Sequence, residues 1–198
     1  PDNIHPRVLY ETRHHLKTPL ANVFRKSIIE GTLPPSWKLA HVIPIFKKGT
    51  RNAPSNYRPV SLTSVCCKVL ERIIRDAIIE HLKRNELLCN EQHGFRKGRS
   101  CLTQLLTVIE MWNNLYDQGD SWDTVYFDIA KAFDRVPHQR LLEKIHNFGI
   151  RGNLYAWISD FLHNRKQRVV IGNCKSDWSS VVLGVPQGSV LGPILFTI

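Results

Sequence analysis

The chain has 198 residues, 42% of them hydrophobic, enough for the core of one domain at roughly 100–200 residues per domain. Lys and Arg number 27 against 17 Asp and Glu, a formal net charge of +10. This balance excludes a mainly disordered chain, and no apolar run approaches the roughly 18–20 residues of a membrane span. Pro1-Asp2-Asn3-Ile4-His5 has no charged-then-apolar leader pattern, so an intracellular protein, nuclear or cytoplasmic and not secreted, is expected. The five cysteines form no C-x-x-C pair and no metal-ligand spacing with the histidines, and read as reduced thiols. The charge is unevenly placed: residues 1–99 hold 18 basic and 8 acidic residues, and residues 100–198 hold 9 of each. A basic half beside a neutral half whose acids bunch (Asp120, Asp123, Asp128, Asp134) suggests a lobe facing phosphates and a lobe holding cations, although lysines and arginines also simply solvate helix faces.

In chain order, residues 13–31 carry Leu16, Leu20, Val23, Phe24 and Ile28 at helical spacing and stop at Gly31, ahead of Pro34-Pro35. Ala40–Phe46 reads as a strand, with Pro44 pointing to an edge position. Lys47-Lys48-Gly49 turns the chain towards a second extended run, Tyr57–Leu62, in which Pro59 disfavours helix at Arg58. Val65, Val69, Leu70, Ile73, Ile74, Ile78 and Leu82 define an amphipathic helix, and Leu102, Leu105, Leu106, Ile109, Trp112 and Leu115 another. Thr124–Phe127 is β-favouring and ends on Asp128. Helices follow over Leu141–Phe148 and Leu154–Leu162, then two strands, Gln167–Ile171 and Trp178–Leu183, around a Gly172-Asn173 turn. The tail Ser189–Ile198 starts a helix. A helix-rich first half and a mixed second half make the class α+β.

Three segments carry chemistry. In V-Y-F-D-I-A-K-A-F-D (Val125–Asp134) a strand would deliver Asp128 to its C-terminal end, where a carboxylate could bind Mg²⁺ beside substrate phosphates or merely close a turn. Phe133 would ordinarily be core. In G-V-P-Q-G-S-V-L-G-P (Gly184–Pro193) the glycines allow close backbone approach and Gln187 offers a donor and an acceptor, or the segment is a plain strand-to-helix turn. Q-H-G-F-R-K-G-R-S (Gln92–Ser100) sets three cations around an aromatic residue, as in a phosphate-binding loop or a solvated turn.

Together and in this order these segments resemble the reverse transcriptase of the non-LTR (LINE-type) retrotransposons. F-K-K-G with S-N-Y-R-P-V-S-L-T-S-V-C-C-K-V-L-E-R is similar to the finger motifs, N-E-Q-H-G-F-R-K-G-R-S to the next block, Y-F-D-I-A-K-A-F-D-R-V-P-H to motif A and G-V-P-Q-G-S-V-L-G-P to motif B; I-H-P-R-V-L and L-P-P-S-W-K-L-A-H-V-I-P-I are similar to the segment before the fingers. The resemblance implies a right-hand polymerase: an N-terminal extension and fingers over residues 1–119, and a partial palm with an incomplete antiparallel sheet over 120–198. It implies an RNA template, a DNA primer and deoxynucleoside triphosphates as partners, with two Mg²⁺ ions in the complete enzyme activating the primer 3′-hydroxyl and steadying the leaving pyrophosphate. Asp128 is then the catalytic metal ligand, with the Ile129 carbonyl as a second contact. Lys47 or Lys48, with Arg58, holds the triphosphate; Phe133 excludes a ribose 2′-hydroxyl; Gln187 and Gly188 line the nucleotide pocket; Arg96 and Arg99 lie near the template.

The family's further palm motif, an Asp-Asp pair in a hairpin, is missing: no adjacent Asp-Asp occurs in the 198 residues. The chain is therefore expected to be a fragment, inactive or nearly so by itself. The other readings are a non-catalytic RNA-binding remnant and an interaction protein docking through Val190–Ile198.

Overall fold

The computed structural model describes residues 1, 2 and 4–198. Two N-terminal helices, α1 (Pro6–Glu11) and α2 (Arg13–Glu30), precede a 3₁₀ turn at Pro35–Lys38. Gly31 ends α2 in the left-handed conformation (φ 64°), and a β-carbon there would lie 2.7 Å from that of Ala156, so a glycine both stops the helix and lets it pack closely. The strands β1 (Leu39–Phe46) and β2 (Tyr57–Leu62) form a hairpin, followed by the helices α3 (Val65–Arg84) and α4 (Cys101–Asp117). After α5 (His138–Asn147) and α6 (Gly152–Leu162) come β3 (Arg165–Ile171), β4 (Cys174–Lys175), β5 (Ser179–Val181) and the terminal helix α7 (Gly192–Thr197).

The core is helical. Leu70, Ile74, Ile78 and Leu82 of α3 pack with Leu141, Leu142 and Ile145 of α5 and with Trp157, Ile158, Phe161 and Leu162 of α6. Most of the apolar stripe read from the sequence is thus buried as helical periodicity requires, although Val69 and Ile73 of α3 remain 47% and 53% exposed. Trp157 satisfies its indole N–H on Ser27 Oγ at 2.9 Å, which ties α2 to α6 across the core.

The sheet runs β2-β1-β3-β4, with β5 also on β3. It corrects the expected antiparallel palm sheet in two respects. It is mixed, because β1 and β3 are parallel, and it is built from the β1–β2 hairpin and residues 165–181, with no strand from motif A. The β-favouring run Thr124–Phe127 is not a strand: Val125, Tyr126 and Phe127 are 70%, 80% and 91% exposed. A strand exists by virtue of its ladder, and none of the five strands runs beside this segment, so β-propensity alone leaves it unpaired. Asp128 accordingly sits in an exposed irregular segment instead of at a strand end.

Pro44 is a second refinement. His41 and Val42 have strands on both sides, whereas the pairing with β3 ends at Val42, short of Pro44, which faces Pro59 of β2. The strand is central at His41–Val42 and an edge where the proline lies. The Gly172-Asn173 turn joins β3 to β4, a short strand outside the expected ones, while the expected strand Trp178–Leu183 is shortened to β5 (Ser179–Val181), which pairs with the opposite end of β3.

Candidate functional site

The β1–β2 register fixes the first half of the site. Two prolines cannot exchange N–H···O bonds, so Pro44 and Pro59 form a non-hydrogen-bonded pair, and alternation makes Val42 and Ser61 another. The backbone groups of Ser61 therefore point away from β1. Its N–H donates to the Gln187 carbonyl at 2.7 Å, while a β-carbon on Gly188 would stand 2.6 Å from the Ser61 oxygen. Gly188 holds φ at 114°, so both its conformation and its clearance require glycine. The free edge of β2 is thus covered by the Gly184–Gly188 loop.

The same loop is joined on its other side to the segment after Asp128. Gly184 N–H donates to Val136 O and Val185 N–H to Phe133 O, each at 2.8 Å. A β-carbon on Gly184 would come within 2.8 Å of backbone atoms of Phe133 and Asp134. His138 Nε2 donates to the Gly184 carbonyl at 2.7 Å, which fixes the neutral Nε2–H tautomer. Burial holds this imidazole below its ordinary range, with His163 and Arg165 adding to the effect and the Gly184 carbonyl opposing it. The segments singled out as motifs A and B therefore meet through backbone, between β2 and the helical core.

Phe133 lies half-buried in this junction, stacked on Phe196 (centroids 4.7 Å apart, planes 19°) and edge-on to Phe95 (6.2 Å). A cavity of about 380 Å³ opens beside it, lined among others by Pro59, Ser61, Lys131, Asp134, Arg165 and Gln187. Gln187 is thus brought to the cavity. Asp128, Ile129, Lys47, Lys48 and Arg58 are exposed and outside its lining. The cations sit on the hairpin: Lys47 and Lys48 at the tip of β1, closed by Lys47 N–H on Asn56 O (2.9 Å), and Arg58 on β2 opposite Ile45. None of these three cations makes an ion pair among the described residues, so all are available to an anion. Arg96 and Arg99 are half-buried and hydrogen-bond the carbonyls of Cys89 and Asn90, bracing their own loop.

Four residues to which the sequence reading gave no role at the site lie behind it. Glu71 is fully buried, and its Oε2 accepts the N–H groups of Val190 (2.7 Å) and Leu191 (3.0 Å), just after the Gln187 turn. Cys67 lies beside it, its thiol pushed up chiefly by burial and also by Glu71. Arg165 is buried over the Phe161 ring (4.8 Å) and donates to the Phe161 and Trp37 carbonyls. Ser189 Oγ closes the turn, donating to Pro186 O and accepting from Gly192 N–H. Glu71 had a legible signal: it lies on the apolar stripe of α3, four residues after Cys67 and three before Ile74, where a carboxylate is out of place unless it has partners. His138 likewise shares the stripe of Leu141, Leu142 and Ile145.

Residues 45–198 match the family model described as reverse transcriptase (RNA-dependent DNA polymerase). The chain belongs to the reverse transcriptase family. It is 31% identical over 180 residues to a probable RNA-directed DNA polymerase from transposon BS of Drosophila melanogaster, covering 90% of this chain and 20% of that protein. It is 34% identical over 175 residues (88% and 19%) to the probable polymerase of transposon X-element and 33% over 180 residues (90% and 20%) to that of mobile element jockey, both from the same fly. These relatives are of the non-LTR, LINE type, which the chain shares, and it spans about a fifth of their length. Polymerases of this family act with divalent metal ions. Among the described residues of this reverse transcriptase chain, no three His, Cys, Asp or Glu side chains gather into a metal-binding group, and no helix is long and apolar enough to cross a membrane.

Proposed function

We propose that this chain supplies the nucleotide-handling half of an RNA-directed DNA polymerase: an N-terminal extension and fingers over residues 1–119 and the first part of the palm over 120–198, acting on an RNA template, a DNA primer and deoxynucleoside triphosphates. The observation that carries the reading is the docking of the Gly184–Gly188 loop between β2 and the Phe133–His138 segment, which sets Gln187 on a cavity between the cationic hairpin and the acid-bearing turn. In that arrangement Lys47 or Lys48 and Arg58 bind the triphosphate, Arg by forked contacts and Lys as a point charge. Gln187 and Gly188 border the incoming nucleotide and Phe133 stands under its sugar.

The donor set suits Mg²⁺ in part. Asp128 offers one exposed carboxylate and Ile129 a carbonyl, and Mg²⁺ is commonly held by one or two carboxylates with substrate phosphates completing its shell. Asp128 would hold the ion, which when bound stabilises charge on the attacking and leaving oxygens of the in-line displacement. Arg96 and Arg99, with donors beyond the one each uses on its loop, lie near the template backbone.

The test is Arg58→Ala in a polymerase of the relatives' length that carries this chain. The KM for deoxynucleoside triphosphate rises about tenfold or more, as expected for losing a charge-assisted contact of about 1.5–3 kcal/mol. An unchanged KM would overturn the assignment of the hairpin to the triphosphate.

A further inference from the structure

Strand alternation divides the sheet into two faces. Ala40, Val42, Ser61 and Arg165 point inwards and are buried. The other face carries His41, Ile43, Ile45, Val60, Leu62, Arg58, Lys166 and Arg168 by register, and it stays open: Ile45 is 51% and Leu62 42% exposed. At its centre three side chains from three places in the sequence are locked together. Arg168 Nε donates to His41 Nε2 at 3.0 Å, its guanidinium lies 4.4 Å over the Trp178 ring, and the His41 and Trp178 rings are 5.9 Å apart. Trp178, the next residue before β5, remains 39% exposed.

The charge is one-sided. No Asp or Glu occurs in any of the five strands, whereas Arg58, Lys166, Arg168 and Lys175 do, with Asp177 the nearest acid in the chain, beside Trp178. Burial first, and then the charges of Arg168 and Lys175, hold the His41 imidazole below its ordinary range.

We propose that this open face is a binding platform for single-stranded nucleic acid, on which a base stacks against Trp178 and Arg168 while Lys166, Lys175 and the remaining Arg168 donors meet the phosphates. The chemistry fits that ligand better than a protein or a membrane. A flat aromatic ring with a guanidinium already fixed on it accepts any base, because every base has a π-face. One of the five Arg168 donors is used on His41, which leaves the others for phosphate oxygens. The Arg168–His41–Trp178 contacts exist before binding, so less side-chain entropy is lost on association. The platform would extend the polymerase reading, since it gives the template a contact surface on the sheet, separate from the Gln92–Ser100 loop, yet its test requires no synthesis.

Fluorescence anisotropy with a labelled oligouridylate, titrated with the 198-residue chain without nucleotide or metal, measures it directly. Trp178→Ala and Arg168→Ala each weaken binding at least about fivefold, the equivalent of about 1 kcal/mol per stacked base, while Trp178→Phe retains most of the affinity. Oligothymidylate as a second arm separates RNA from DNA single strands: equal losses mean a platform blind to the sugar, and a loss confined to oligouridylate means one that reads RNA. Circular dichroism confirms that each variant is folded, and quenching of Trp fluorescence in the parent by unlabelled oligouridylate, lost on Trp178→Phe, reads the same contact without a destabilising change. Binding by both alanine variants within twofold of the parent would overturn the proposal, as would a loss on Arg168→Ala with none on Trp178→Ala, which is charge without stacking. Failure of the polymerase reading would leave these affinities untouched.

Discussion

Phe133 reads as core from the sequence and, by the family resemblance, as a side chain beneath an incoming sugar; one of its faces packs on Phe196 and the residue stays half-exposed. In the complete polymerase, Phe133→Val is expected to lower discrimination against ribonucleotides at least about tenfold, roughly 1.4 kcal/mol, read as the ratio of kcat/KM for deoxy- and ribonucleotides; an unchanged ratio would confine Phe133 to packing. His138 makes a pH prediction. Its imidazole is held below the ordinary value by burial, so the folded state binds fewer protons than the unfolded one over the window beneath about pH 6.5. The contribution is fully present above that pH and is lost as the pH falls towards the folded value. The urea midpoint of the parent should drop more between pH 7.5 and 5.5 than that of His138→Gln, and equal drops would show that burial of this imidazole does not couple its protonation to folding. Asp128 shows the limit of single-residue reading: the motif singles it out as the candidate metal ligand, but its setting depends on pairing that no local pattern encodes.

The helices were legible because each carries its own periodicity: α5 and α6 bury most of the stripes that their sequences announce, α3 buries Leu70, Ile74, Ile78 and Leu82 but leaves Val69 and Ile73 exposed, and α2 only half-buries Leu20, Phe24 and Ile28 and leaves Val23 exposed. The apolar stripe of α4 forms as a helix, secured by the Ser100–Thr103 capping box, yet Leu102, Leu105 and Leu106 remain exposed, because periodicity predicts the element and not its cover. Strands were legible where a turn or a proline constrained them, and misread at Thr124–Phe127, where the ladder decides. What holds the Gln187 turn could not be read from its own sequence, since the clamp comes from Glu71 on α3, 119 residues away from Val190. Glu71→Ala leaves two N–H groups without their acceptor and should cost about 2–4 kcal/mol in chemical denaturation, with amide exchange accelerating first at Val190 and Leu191. Glu71→Gln keeps a carbonyl oxygen for both donors and should restore most of that loss. Equal destabilisation by the two would mean that the carboxylate charge, and not the acceptor, is what α7 requires.

Across the whole molecule, five of the 27 cations lie in strands (Arg58, Arg165, Lys166, Arg168 and Lys175), and of these only Arg58 comes from the basic half of the sequence. The strands present cations without acids, the helices carry the core, and the Gly184–Gly188 loop joins the two through Ser61, Gly184 and His138. The charge asymmetry between the two halves of the sequence suggested a phosphate-facing lobe but assigned no face, because β3 comes from the neutral half and supplies Lys166 and Arg168 beside β1. Family membership and the motif order were readable outright; the mixed topology was not, since the parallel β1–β3 contact joins residues more than a hundred positions apart. The central claim is that Asp128 serves nucleotidyl transfer and does not merely close a turn. It is tested most directly by primed DNA synthesis on an RNA template with Mg²⁺, using a polymerase of the relatives' length that contains this chain, with and without Asp128→Asn. Loss of at least about a hundredfold in rate with template affinity retained is the predicted result, the scale on which removal of an electrostatic stabiliser at the reacting centre is felt; synthesis by Asp128→Asn at the parental rate would contradict it.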